Sequence, residues 1–183
     1  MAAEPPLGGA VGIDAALLAR RVVMVHGELD DDQVTRTAAA LMALDALGDD
    51  HVELRLHAPR GSVDAALVLV DVVEVLGVPV HTTAMGLVGG GAVALLAAGA
   101  VRRMSPHARL HLHEPDTAVA GWAGDIERAL AERAARRDDF FAFLARRTGR
   151  PAAEITEEWS RGRFLEPADA VTLGYADDVV TGR

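Results

Sequence analysis

Two histidines and two carboxylates lie close together in the second half of the chain. His111 and His113 are two residues apart in a segment, 109–113, that alternates polar and apolar residues, and Glu114 and Asp116 follow. Such alternation is typical of a half-buried strand, so both imidazoles would lie on one face. Imidazole and carboxylate groups can bind Zn²⁺ or exchange protons with a substrate. Because this two-residue spacing is common and no third ligand stands at a suitable spacing, we expect no metal site and no cofactor.

A glycine-rich segment with no polar side chain, residues 86–100, is the second feature that could take part in chemistry. It contains three consecutive glycines and continues as an Ala/Leu run, which predicts a tight turn followed by a buried helix. The first N–H groups of a helix are unpaired and can bind an anion or a developing oxyanion. A purely structural, close-packed turn explains the same residues, and the pattern alone leaves both interpretations open.

Strands that alternate with helices must position these residues. Short β-branched or alternating segments predict strands at residues 21–26, 52–56, 79–84, 109–113 and 177–180. Amphipathic or apolar segments predict helices at residues 30–47, 63–76, 124–148, 152–160 and 167–173. This order predicts βαβ units and a mostly parallel sheet, that is, an α/β fold.

Length and composition limit the class of protein. The 183 residues are 50% hydrophobic, which predicts one domain with a sizeable core over residues 17–183, behind a flexible Pro/Gly-rich segment at residues 1–16. A net charge of −9 argues against nucleic acid as the main partner. The chain has no cysteine, and we find neither a signal peptide nor an apolar run that could span a membrane. We therefore expect a cytoplasmic protein.

From about residue 17 to residue 180, the order and spacing of several motifs resemble one family, the proteolytic subunits of the Clp protease. These are serine peptidases with a crotonase-like α/β fold of repeated βαβ units and a protruding handle helix. The motifs that carry the resemblance lie at residues 59–61, 86–100, 109–115, 125–127, 161–165 and 170–177. Each motif is weak alone, but together they imply this fold.

The family's triad of serine, histidine and aspartate is incomplete in this sequence. By the resemblance, the nucleophilic serine falls on Gly90, the histidine on His113 and the aspartate on Gly162. A serine attacks a carbonyl only when a base accepts its proton and a third group orients that base. Since Gly90 and Gly162 supply neither the nucleophile nor the carboxylate, we do not expect conventional serine proteolysis.

Three polar residues lie near these motifs in the sequence and could replace the missing groups: Ser62, Ser160 and Asp177. None of them occupies the turn before the buried helix, so we do not expect a relocated triad.

The resemblance assigns the oxyanion hole to the backbone N–H groups of Gly61 and Gly91. Backbone donors need no particular side chain, so they can survive the loss of the serine and the aspartate. The same glycines also suit a tight strand–turn–helix junction. Functional and structural reasons for their presence both stay open.

The resemblance also implies an assembly of stacked rings. The predicted helix at residues 124–148 matches the family's handle, with Ile126, Phe140 and Phe141 in its apolar stripe, and Arg161 matches an arginine that pairs across rings. The alternative is a helix packed on its own domain.

On the strand at residues 52–56, the family carries tyrosines that dock an unfoldase. This chain carries Glu53 and Arg55 there, which makes ATPase docking doubtful.

Two functional hypotheses follow from the sequence. The first is a non-catalytic pseudo-peptidase subunit that forms its own ring or joins one with an active paralogue, without nucleic-acid or membrane partners. The alternative is an enzyme that uses the Gly61 and Gly91 amides as an oxyanion hole and His113 as acid/base on an acyl or thioester substrate. Whether the chain is an enzyme is therefore left open by the sequence.

Overall fold

The computed structural model describes residues 10–113 and 123–180, with side chains at 14–113 and 128–180. In these ranges the helices are α1 (Ala10–Leu18), α2 (Asp31–Ala46), α3 (Val63–Val75), α4 (Ala92–Ala98), α5 (Ala123–Thr148), α6 (Ala152–Ser160) and α7 (Pro167–Thr172). The strands are β1 (Val22–His26), β2 (Val52–His57), β3 (Val80–Ala84), β4 (Leu87–Gly89), β5 (Val101–Met104), β6 (Arg109–Leu112), β7 (Arg163–Leu165) and β8 (Asp178–Val179). Helix α1 begins inside the segment predicted to be flexible, of which residues 1–9 lie outside the described ranges.

A five-stranded parallel sheet in the order β1-β2-β3-β5-β8 forms the centre of the fold. Helices α2 and α3 connect β1 to β2 and β2 to β3, which is the expected βαβ arrangement. Leu54 and Leu56 of β2 are fully buried on one face, whereas Glu53 and Arg55 on the other face are half-buried. The predicted α/β fold with a mostly parallel sheet is confirmed, and one face of this sheet carries charged residues.

A second sheet contains three short strands in the order β4-β6-β7. Strands β4 and β6 are parallel, and β6 and β7 are antiparallel. The sequence analysis missed β4, β5 and β7, which have only three or four residues each. So few residues show no clear two-residue period, and only pairing with a neighbouring strand stabilises them.

Helix α4 is the buried helix expected from the glycine-rich segment, and all its residues are buried. It is shorter than residues 86–100, because Leu87–Gly89 forms β4 and the backbone leaves the helical conformation at Gly99. The hydroxyl of Thr82 donates to the Leu96 carbonyl oxygen at 2.7 Å, and a Cβ on Gly99 would overlap that hydroxyl. Packing against β3 therefore determines where α4 ends.

The long helix α5 packs on the core through its C-terminal part. Phe140 and Phe141 are buried there, and both contact Trp159 edge-on, with ring centroids 5.1 and 5.7 Å away. These rings fill the core of the subunit itself, which favours packing on its own domain over the subunit interface predicted for them. Residues 128–139 are exposed or half-buried, and the side chain of Ile126 lies outside the described residues. Neither α5 nor another helix in the described part of the chain is both long and apolar enough to cross a membrane.

Candidate functional site

The three positions at which the family resemblance places the triad meet at one end of the small sheet. Gly90 follows the last residue of β4, and His113 follows the last residue of its parallel neighbour β6. Gly162 precedes β7, which runs antiparallel to β6 with Leu112 opposite Arg163. Continued by one residue, this register sets Gly162 opposite His113. Strand pairing therefore brings together positions far apart in the sequence.

Gly90 lies directly beside the imidazole of His113. A Cβ built on Gly90 would stand 3.4 Å from both Cε1 and Nε2 of His113. The same atom would lie 3.0 Å from the carbonyl oxygen of Gly61, which is tighter than most real Cβ contacts. Gly90 also has a φ of +55°, in the left-handed region that residues with a side chain rarely adopt. The position faces the histidine but carries no nucleophilic atom.

Among the residues that the structure describes, a backbone carbonyl orients the imidazole of His113. Its Nδ1 lies 3.3 Å from the carbonyl oxygen of His111, and the amide of Gly90 donates to that same oxygen at 3.2 Å. Because a carbonyl only accepts, Nδ1 is the donor in this contact. Nε2 is the ring nitrogen nearest to Gly90, and it faces a position with no side chain.

Gly162 contributes only backbone to the site. Its φ is +68°, and a Cβ built on it would meet no atom within 4 Å. Two residues further on, the exposed ring of Phe164 stacks on the His111 ring, with centroids 3.9 Å apart. The centroid of the His111 ring lies 4.2 Å from that of His113. Burial, followed by the neighbouring His113, lowers the pKa of His111. An aromatic stack, without a carboxylate from residue 162, thus flanks His113.

The two amides expected to form an oxyanion hole lie next to each other, but one of them is already used. The N–H of Gly91 donates to the carbonyl oxygen of Gly61 at 2.8 Å. A Cβ on Gly91 would overlap the carbonyl oxygen of Ser62 and stand 2.7 Å from its carbonyl carbon. Glycine at position 91 is therefore required by the close approach of two backbones. For the Gly91 amide to reach an oxyanion, the Gly61 carbonyl would first have to turn away.

The polar residues weighed as replacements for the triad have other roles. The hydroxyl of Ser62 accepts a hydrogen bond from Ala65 N at 3.0 Å and caps α3. The hydroxyl of Ser160 donates to the Glu157 carbonyl oxygen at 2.9 Å. Asp177 pairs with Arg102 at the junction of β5 and β8. These contacts agree with the expectation that the triad is not relocated to them.

Two further predicted surface features can be located. The Arg161 side chain is 72% exposed and pairs with Glu157 one helical turn earlier, so it is available to a partner subunit. On β2, Glu53 accepts a hydrogen bond from the Thr83 hydroxyl at 2.8 Å and lies 3.9 Å from the Arg103 guanidinium. A polar network therefore occupies the strand on which the family carries docking tyrosines.

The sequence analysis missed one group of possible metal ligands. His51, Glu53 and His81 place their donor atoms within 4.8 Å of one another on the polar face of the large sheet. The sequence pointed to a possible metal site at His111 and His113 alone. All of β2 and α3 lies between His51 and His81 in the sequence, and only the pairing of β2 with β3 brings the two histidines together.

Two comparisons with known proteins find the same family over nearly the whole chain. A family model described as Clp protease matches residues 9–183. A protein of Streptomyces avermitilis named ATP-dependent Clp protease proteolytic subunit 3 is 31% identical over 184 residues, covering 98% of this chain and 84% of that protein. Both similarities agree with the resemblance found in the sequence.

Proposed function

Because this chain belongs to the Clp protease family, we propose that it is a non-catalytic subunit of a Clp-type proteolytic assembly, with residues 17–183 as its one domain. The observation that carries the proposal is the pair Gly90 and His113. His113 lies where a base could act on residue 90, and a Cβ on that residue would stand 3.4 Å from the imidazole, but glycine offers no hydroxyl. Acyl transfer by a serine peptidase begins with attack by that hydroxyl.

The state of the two expected oxyanion donors supports a non-catalytic role over the alternative of an acyl- or thioester-processing enzyme. Such an enzyme would need the Gly91 amide to point at the developing negative charge. That amide instead donates to the Gly61 carbonyl oxygen. In the described part of the chain, Nδ1 of His113 contacts a carbonyl, which orients the ring but stabilises an imidazolium less well than a carboxylate does.

Features away from the site support a role in assembly. Helix α5 is 26 residues long, and its residues 128–139 are exposed or half-buried, which leaves a helical surface for a second subunit. The exposed guanidinium of Arg161 matches the family position that pairs rings. Either a ring of this chain alone or a mixed ring with an active paralogue would use these surfaces. Proteins of the Clp family form such rings, and symmetric closure is the usual outcome for soluble oligomers.

The polar network around Glu53 supports the further proposal that this subunit does not itself dock an unfoldase through the usual surface. Glu53 is bound by Thr83 and lies near Arg103, and Arg55 follows on the same face of β2. Charged and hydrogen-bonded side chains do not provide the apolar anchors that dominate such contacts.

The absence of cysteine fits a reducing compartment, and we place the protein in the cytoplasm.

The test combines activity and mass. The purified chain is treated with a serine-directed fluorophosphonate and assayed with a fluorogenic peptide, and native mass spectrometry is run on it alone and after mixing with an active paralogue. We expect no label, no turnover and a ring-sized mass in at least one of the two samples. Covalent labelling together with turnover would overturn the non-catalytic role. A monomer in both samples would overturn the role in assembly.

A further inference from the structure

Three side chains on the polar face of the large sheet converge at the start of β2 and β3. Glu53 of β2 and His81 of β3 are direct neighbours in the register of the two parallel strands. His51 stands two residues before Glu53, so its side chain lies on the same face. The donor atoms of the three residues all lie within 4.8 Å of one another, and the His51 and His81 rings are stacked with centroids 4.1 Å apart.

This donor set has a defined chemistry. Two imidazoles and one carboxylate form a three-ligand set that binds Zn²⁺ and leaves a fourth position for water. Bonds of about 2.0–2.2 Å in such sites leave neighbouring ligand atoms roughly 3.3 Å apart, so donor atoms up to 4.8 Å apart must move closer by as much as about 1.5 Å. Glu53 and His81 are half-buried on strands, whereas His51 is exposed and precedes β2. His51 is therefore the ligand with the most room to move as the site closes.

The surroundings of the cluster contain both a supporting contact and a competing one. The Thr83 hydroxyl donates to Oε1 of Glu53 at 2.8 Å and so holds the carboxylate in place, as hydrogen bonds to metal ligands commonly do. The Arg103 guanidinium lies 3.9 Å from Oε2 of the same carboxylate. A cation bound at Oε2 would have to share this oxygen with Arg103 and would be repelled by it.

We propose that His51, Glu53 and His81 bind one divalent transition-metal ion, Zn²⁺ in the first instance, at the surface of the large sheet. The site is separate from the Gly90–His113 region and does not depend on the proposed role of the subunit. With three protein ligands and an arginine competing for one of them, it is a site of moderate affinity, with water in the remaining position.

The test is calorimetric titration of ZnCl₂ into the full chain after chelator treatment, with the absorption spectrum of Co²⁺ as an independent readout of imidazole coordination. We expect one ion per chain. His51→Asn and His81→Asn should each weaken binding at least about tenfold. His107→Asn, which removes an exposed histidine outside the cluster, is the matched control and should leave binding unchanged.

Arg103→Gln gives a result that a non-specific effect would not produce. Removal of the competing guanidinium should tighten zinc binding several-fold, because Oε2 of Glu53 is released and a positive charge is lost. A wild-type chain that takes up no zinc, or binding that survives in the His51→Asn/His81→Asn double variant, would overturn the proposal. Equal or weaker binding by Arg103→Gln would overturn the arrangement in which the ion and Arg103 share Glu53.

Discussion

The imidazole of His113 faces Gly90 across a gap that a single side-chain carbon on residue 90 would fill. A Cβ on Gly90 would stand 3.4 Å from Nε2, and the His111 carbonyl holds Nδ1 on the opposite side of the ring. The histidine proposed as the base therefore lies beside the position at which the family resemblance places the serine, and this position has no hydroxyl. Substitution of Gly90 tests the arrangement directly.

Restoring the serine alone should not restore full activity. We expect Gly90→Ser to react with a fluorophosphonate only slowly, because the His111 carbonyl lacks the charge that stabilises an imidazolium; loss of the triad carboxylate lowers kcat by roughly 10⁴. Gly90→Ser/Gly162→Asp should react faster, since residue 162 lies in open space in line with His113. Gly90→Ala, with the same backbone strain of about 1 kcal/mol or more and no hydroxyl, is the control. Equal labelling of the single and double variants would show that another group already supplies the charge.

Gly91 should tolerate no side chain. We expect Gly91→Ala to lower the free energy of unfolding by about 3 kcal/mol or more, because its Cβ would overlap the Ser62 carbonyl in a packed interior. Gly77→Ala is the control, since its Cβ would lie no closer than 3.5 Å to Asp45 Oδ1. Urea unfolding of the two variants measures the difference, and a loss for Gly91→Ala no larger than that for Gly77→Ala would contradict the overlap.

Phe140 should contribute to the stability of the single subunit. Its ring is fully buried against Phe141 and Trp159, so Phe140→Ala should cost about 3–5 kcal/mol of unfolding free energy. Leu130→Ala, at an exposed position of the same helix, should change that quantity by less than about 0.5 kcal/mol. Denaturation at several protein concentrations separates this effect from assembly. If the loss for Phe140→Ala vanished on dilution, the ring would belong to an interface instead.

The pairing of Asp177 with Arg102 should stabilise the fold at neutral pH and lose its effect in acid. Burial alone would raise the pKa of Asp177, but hydrogen bonds from Arg102 outweigh it and lower the pKa below 3.8. The contribution is therefore present above the unfolded-state value and disappears as the pH falls through the lower folded-state value.

Asp177→Asn should accordingly lower Tm at pH 7 by about 2–4 °C, the equivalent of about 1 kcal/mol for a partly exposed pair in a domain of this size. The difference from wild type should shrink as the pH falls below 3.8. Asp138→Asn, at an exposed position of α5, is the control. A difference in Tm that stayed constant as the pH was taken well below 3.8 would exclude the ionised carboxylate as its cause.

Charge reversal at Arg161 should separate rings and leave the subunit folded. Arg161 is 72% exposed and paired only with a residue of its own helix among the contacts described, so Arg161→Glu leaves the core unchanged. Arg36→Glu is a matched control, because Arg36 is similarly exposed and pairs with Asp32 at the same spacing. Native mass should fall for Arg161→Glu alone. A wild-type chain that is already monomeric would refute the expectation of stacked rings.

Sequence alone was sufficient for features that depend on local patterns. The alternation in β2 and β6 and the apolar segment that became α4 predicted the α/β fold, because side-chain periodicity reports burial directly. The motif order was sufficient to identify the family, and the placement of its triad on Gly90, His113 and Gly162 stays a prediction. Strand pairing then brought these three positions to one end of the small sheet.

Only the tertiary structure decided which groups those residues meet. The sequence could not show that the Gly91 amide donates to the Gly61 carbonyl oxygen. It also could not show that Phe140 and Phe141 are buried in the core of the subunit. Nor could it show that His51 and His81 flank Glu53. Each of these contacts joins residues that are far apart in the sequence. How close they lie in space depends on strand register and helix packing, which local periodicity does not report.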